Sequence, residues 1–267
     1  MIVMTVPKEI VWKRKDLVGL QDLGVAEIEA VLDAAAGFKA SGSGEIRTVR
    51  VLEGRTLVNF FVEPSTRTRV SFELAAHRLS AGVVNMTASA SSLTKGETLK
   101  DTALNLEALK ADIIVIRHSS AGAARFLSDR LDASVINAGA GAHEHPTLVP
   151  REFESLGVEI TTDLDAVLPE LDVINLLRIQ HERQQKEHFP SLGEYTAIFG
   201  LTKARAERLR PDCLIMHPGP INRGVEIDSD VADSGRSVIL EQVTNGLAVR
   251  MAVLKLCDQA RVTGVGR

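Results

Sequence analysis

The stretch Leu57-Val58-Asn59-Phe60-Phe61-Val62-Glu63-Pro64-Ser65-Thr66-Arg67-Thr68-Arg69-Val70-Ser71-Phe72-Glu73 decides how this chain is read. Its apolar run, 57–62, is short and stops before a proline, so it predicts a buried strand. Beyond it, Val70, Phe72, Leu74, Ala75 and Leu79 predict a helix over 68–80. Three hydroxyls and two arginines therefore stand where a strand turns into a helix. The first amides of a helix lack intrahelical acceptors and carry the positive end of its dipole, which favours an anion such as phosphate. Arg67 and Arg69 add forked donors suited to phosphate or carboxylate. The competing reading is plain capping by Ser65 or Thr66 with solvated arginines. The coincidence of strand, cap and paired arginines favours the anion site.

Outward from this junction, strands and helices alternate. Strands are predicted at 57–62, 83–87, 113–116 and 134–137, and helices at 68–80, 98–109 and 121–131. An earlier helix, 25–38, shows Ile28, Val31, Leu32, Ala35 and Phe38 at helical spacing. Such alternation predicts an α/β fold, a parallel sheet with helices on both faces. Its ligand crevice then lies at the carboxyl ends of the strands. Polar residues stand at those ends: Ser65-Thr66-Arg67-Thr68, Arg117-His118, and His143-Glu144-His145-Pro146-Thr147. The hydroxyl-rich loop 89–97, with Ser91, Lys95 and Gly96, reads as a flap over such a site or as a solvated loop.

The second half repeats the logic. Residues 151–156 and 164–168 look helical, and 158–161 and 173–177 look extended, the latter ending in Arg178-Ile179-Gln180-His181-Glu182-Arg183. A helix at 203–208 precedes a strand at 213–216, which leads into His217-Pro218-Gly219-Pro220-Ile221-Asn222-Arg223. The stretch 240–260 is an amphipathic helix. The alternation in this half predicts a second parallel sheet.

Composition narrows the chemistry. The 267 residues are 45% hydrophobic and 25% charged with a net charge of −4, a soluble balance that argues for neither nucleic acid nor a membrane surface. Cys213 and Cys257 sit far apart in apolar segments, as buried thiols in a reducing cytoplasm would. Among seven histidines, His143-Glu144-His145 resembles a ligand cluster, yet no histidine pair stands at i, i+4 and no cysteine is near, so no metal is expected. No G-x-S-x-G elbow and no G-x-G-x-x-G turn occur. What remains is an electrostatic site without cofactor or covalent intermediate. It suits transfer of a group from a phosphate leaving group, where developing charge needs stabilising.

Several segments together resemble the catalytic chain of the aspartate carbamoyltransferase family. They are Ser65-Thr66-Arg67-Thr68-Arg69 with Phe72-Glu73, Ser92-Leu93-Thr94-Lys95-Gly96-Glu97-Thr98, His145-Pro146-Thr147, Arg178-Ile179-Gln180-His181-Glu182-Arg183 and His217-Pro218-Gly219-Pro220. The likeness runs from about residue 14 to 260, in family order. The first motif alone also fits ornithine carbamoyltransferase; the R-x-Q-x-E-R and H-P-G-P segments tilt the choice to aspartate. The resemblance implies two doubly wound parallel-sheet domains, 1–146 for carbamoyl phosphate and 147–239 for aspartate, the second lacking a strand and flanking helices, with 240–267 packing back on the first. It implies condensation of carbamoyl phosphate with L-aspartate, an early step of pyrimidine synthesis. It implies that Ser65, Thr66, Arg67 and Thr68 hold the phosphate, and that Thr68, Arg117 and His145 polarise the carbamoyl carbonyl. Gly219 and Pro220 would offer backbone carbonyls to the carbamoyl amide, and Arg178 with Gln180 would bind the carboxylates of aspartate. Ser91 and Lys95 would reach into the site of a neighbouring subunit, so a homotrimer with shared sites is implied. A larger assembly with regulatory chains or a dihydroorotase stays open.

Two departures stand out. Ala140 occupies the place of an acidic residue in Gly139-Ala140-Gly141. After Thr147 the family pattern continues with a Gln, a helix, a strand, an arginine-bearing loop and another helix, whereas here Leu148-Val149-Pro150-Arg151 follows at once. That is roughly 40 residues, expected to exist in the natural chain and to be unobserved or removed here. A true deletion would instead favour a subunit that binds carbamoyl phosphate without turnover.

Overall fold

The computed structural model describes residues 12–39, 46–87, 97–140, 157–178 and 191–264. Its elements in chain order are α1 (Val25–Phe38), β1 (Thr56–Phe61), α2 (Thr66–Arg78), β2 (Gly82–Thr87), α3 (Leu99–Ala108), β3 (Ile113–His118), α4 (Ala123–Ser128) and β4 (Ser134–Ala140). There follow α5 (Leu164–Val167), β5 (Val173–Asn175), α6 (Leu192–Phe199), α7 (Lys203–Ala206), β6 (Leu214–Met216), α8 (Ser229–Ala232) and α9 (Ile239–Thr263). The chain divides into one unit of Met1–Glu144 with Asn245–Arg267 and a second of His145–Thr244.

The first unit is built on a parallel sheet of order β2-β1-β3-β4. From Leu57 onward, strand β1 is apolar on both faces but for the buried Asn59, because both faces are covered. On one face Leu57 and Phe61 pack with Phe72 and Ala75 of α2, with Leu79 just after it, and with Met251, Leu254 and Cys257 of α9. On the other, Val58 and Phe60 pack with Ala103 of α3 and Leu127 of α4. From β1 the chain steps out to β2, then crosses back to β3 on the opposite side. The carboxyl ends of β1 and β3 are therefore the point where the strand order reverses, the place such sheets offer a ligand. The backbone joins the two ends there: the Arg117 carbonyl accepts from the amides of Val62 (2.9 Å) and Glu63 (3.3 Å).

The second unit has a parallel pair, β5 with β6, in the register Val173↔Leu214, Ile174↔Ile215 and Asn175↔Met216. Ile174 and Ile215 are buried with Leu168, Leu201, Leu209 and Ile227. On the opposite face Val173 and Leu214 are 46% and 43% exposed. A parallel sheet is normally covered on both faces, so among the described residues this one is short of cover on that side. Residues 158–161, expected to be extended, join no strand. Thr147 and Leu148 are consecutive in the full sequence. The junction where the family's further residues were expected, Thr147-Leu148, lies outside the described residues. The predicted helix 151–156 lies outside the described residues.

Candidate active site

The stretch after β1 forms the first group. Ser65 is the N-cap residue of α2, but its side chain makes no capping hydrogen bond. Its Oγ instead donates to Thr68 Oγ1 at 2.9 Å. The first turn of α2 carries no acidic residue, and Thr66 and Arg67 are exposed. Capping by Ser65 is thereby set aside, and the positive end of a 13-residue helix keeps its preference for an anion. Arg69 turns along the helix to Glu73, 3.7 Å away, in an i, i+4 pair.

Arg117, at the end of β3, stands beside this turn. Its Nη2 lies 3.3 Å from Glu63 Oε2, with the two side chains only 16% and 20% exposed. Its Nη1 donates to the Ala138 carbonyl at 2.9 Å. Next to it, His118 Nδ1 accepts from the Ser120 amide at 2.9 Å. Burial pushes the His118 pKa down, outweighing the attraction of Glu63, so the ring is neutral near pH 7. A neutral ring beside a guanidinium leaves the positive charge at this strand end to Arg117.

In the second unit the segment after β6 is held by buried polar contacts. His217 is fully buried; its amide donates to Gln242 Oε1 (3.1 Å) and its Nδ1 accepts from the Gly219 amide (2.7 Å). Gly219 adopts a φ of +64° and precedes the cis Gly219-Pro220 bond. His217 Nε2 lies 3.3 Å from Glu226 Oε1. Burial raises the Glu226 pKa, while backbone donors, Asn222 first, and the charge of Arg178 oppose the rise. Glu226 is 1% exposed. Sequence reasoning missed it, because a lone Glu nine positions past His217 carries no local signal; only the fold buries it.

Of the residues expected to form the site, Ser65, Thr66, Arg67, Thr68 and Arg117 are brought to the ends of two adjacent strands. Arg178, Gly219 and Pro220 follow β5 and β6 in the second unit. Ser91, Lys95, His145 and Gln180 lie outside the described residues, as do the rest of the loop 89–96 and His143-Glu144.

The family model for the aspartate/ornithine carbamoyltransferase carbamoyl-P binding domain matches residues 15–149, and that for the Asp/Orn binding domain matches 150–257. The chain belongs to the aspartate/ornithine carbamoyltransferase family. Among its relatives, the aspartate carbamoyltransferase catalytic subunit of Opitutus terrae is 49% identical, covering 92% of this chain and 96% of the relative. That of Syntrophus aciditrophicus is 45% identical, covering 93% and 99%. The aspartate transcarbamoylase of Trypanosoma cruzi, solved with carbamoyl phosphate and aspartate, matches with a TM-score of 0.78 at 26% identity, covering 91% and 97% of the two chains. An ornithine carbamoyltransferase from Pyrococcus furiosus matches with a TM-score of 0.76 at 27% identity, covering 92% and 97%. The match to the Opitutus carbamoyltransferase runs over 300 positions, more than the 267 residues of this chain, so that relative carries residues with no counterpart here.

Proposed function

We propose that this chain transfers the carbamoyl group of carbamoyl phosphate to the amine of L-aspartate, giving N-carbamoyl-L-aspartate and phosphate. The observation that carries the reading is the start of α2: a helix N-terminus without a side-chain cap or first-turn acid, next to Arg117. Ser65, Thr66, Arg67 and Thr68 hold the phosphate, and Arg67 neutralises it as it leaves. Thr68, Arg117 and His145 donate to the carbonyl oxygen, where negative charge develops as the amine attacks. The new C–N bond forms as the C–O bond to phosphate breaks; the phosphate departs with that electron pair and takes up the proton that the amine gives up. No group of the protein need form a covalent bond. Gly219 and Pro220 offer carbonyls to the carbamoyl amide, and Arg178 and Gln180 bind the aspartate carboxylates.

The reading includes a homotrimer in which Ser91 and Lys95 serve a neighbouring subunit's site, acting in the cytoplasm, where the buried free Cys213 and Cys257 stay reduced. Sedimentation of the pure protein tests the trimer. A steady-state assay offering aspartate and ornithine in turn tests the reaction. Carbamoyl-aspartate with equimolar phosphate is expected, and citrulline alone would overturn the choice of substrate.

A second reading has its own support. The Opitutus relative carries residues that this chain lacks, and the sheet of the second unit is bare on one face among the described residues. In that reading the chain binds carbamoyl phosphate without turnover. Calorimetric binding with no product at high aspartate would establish it.

A further inference from the structure

We infer that Gly139 is a positioning residue that makes the seat for the Arg117 guanidinium; the inference rests on the reading of Arg117 as a carbamoyl phosphate ligand. Strands β3 and β4 pair evenly until Ile116↔Asn137, then slip, so that His118 faces Ala140. One residue, Arg117, thus opposes two, Ala138 and Gly139. Bulges of this kind re-aim a side chain next to a site. Both of the opposing residues meet the guanidinium: the Ala138 carbonyl accepts from Nη1, and the bare Cα of Gly139 leaves room for it. A Cβ built on Gly139 would overlap Arg117 Nη1 and stand 3.1 Å from Cζ and 3.7 Å from Nη2. All three nearest atoms belong to that one guanidinium, so a side chain here collides with a movable group and not with the frame of the fold.

The bulge is pinned independently. The Gly139 amide donates to Asn137 Oδ1 at 2.9 Å, and Asn137 Nδ2 donates to the Val18 carbonyl at 3.0 Å. Gly139 itself has a φ of +121°, which also favours glycine. Two demands therefore meet at one position, and they separate by experiment. Gly54, at φ +78° with nothing within 4 Å of a built Cβ, carries only the backbone demand.

The test titrates carbamoyl phosphate calorimetrically into the full chain and into Gly139→Ala, Arg117→Ala and their combination, with Gly54→Ala as the backbone control. Gly139→Ala is expected to weaken binding by about tenfold or more, since a shift of roughly 1 Å in a positioned group has large effects. In the Arg117→Ala background the same change is expected to alter binding less than about twofold, because two residues acting through one group are non-additive. Gly54→Ala is expected to bind as the parent does. If the losses at 117 and 139 multiply, or if Gly139→Ala binds normally while Arg117→Ala does not, the inference is overturned. Normal binding by Arg117→Ala would instead overturn the reading of Arg117 beneath it. Should Gly139→Ala fail to fold, Asn137→Ala loosens the bulge without adding a side chain, and the same dependence on Arg117 is expected; independence from Arg117 would count against the proposal.

Discussion

His217 Nε2 and Glu226 Oε1 lie 3.3 Å apart with both side chains almost wholly out of water, at 0% and 1% exposure. An ion pair would need a protonated ring, but Nδ1 already accepts the Gly219 amide, which keeps the imidazole neutral and its proton on Nε2. Burial then raises the Glu226 pKa. Ionising such a carboxyl penalises the folded state, so the penalty is absent below the ordinary Glu value. It grows as pH rises toward the raised one and persists above it. Glu226→Gln is therefore expected to gain stability relative to the parent as pH rises from 4 to 8. Thermal melting across that range checks it, and a pH-independent difference would count against the assignment.

Arg67→Ala tests the phosphate cradle. Removing a charged partner of a bound anion costs about 2–5 kcal/mol, so carbamoyl phosphate should bind at least about 30-fold more weakly by calorimetry. Arg67 is exposed, and the melting temperature should stay close to that of the parent, as for most surface changes. Unchanged binding would return α2 to an ordinary helix start.

Asp165 ties α5 to α7. It accepts from Arg205 Nη2 at 2.8 Å and faces Arg208 Nη1 at 2.5 Å. The Arg205 hydrogen bond, ahead of the other charges, holds its carboxyl below the usual range. A depressed pKa adds stability that is full above the unfolded value and is lost as pH falls through the depressed one. Asp165→Asn should thus melt lower than the parent at pH 7, with the gap closing in acid below about pH 3–4. Equal gaps at both ends would exclude a charge effect.

Phe60→Ala would probe the covered face of the first sheet. Phe60 is 0% exposed, in the cluster with Leu127 and Ile116. A cost of about 3–5 kcal/mol is expected in denaturant unfolding, and a loss below about 1 kcal/mol would show that the cavity collapses.

Legibility in the sequence followed the reach of each signal. The run 57–62 foretold β1 because burial on both faces leaves an apolar pattern broken only by Asn59. Helix α2 begins at Thr66 and ends at Arg78, two residues before the expected limits at each end. Its start is set by the N-cap at Ser65 and its end by Ser80 at φ +64°, neither of which periodicity sees. Helix α6 went unread although Leu192, Tyr195, Ile198 and Phe199 recur at helical spacing, because it is only 8 residues long and follows a polar stretch. The phosphate cradle was legible since its residues are adjacent in sequence. Glu226, Glu63 as the partner of Arg117, and the Gly139 seat were not, because each is created by tertiary contact.

The Ser65 side chain that caps no amide of α2 has a thermodynamic corollary. Whatever anion settles at that N-terminus takes over the work of a cap, so ligand binding and helix stability become one linked equilibrium. An anion present at about 100 times its Kd would add about 2.7 kcal/mol to folding. Inorganic phosphate alone, one product of the proposed reaction, would then brace the enzyme between turnovers.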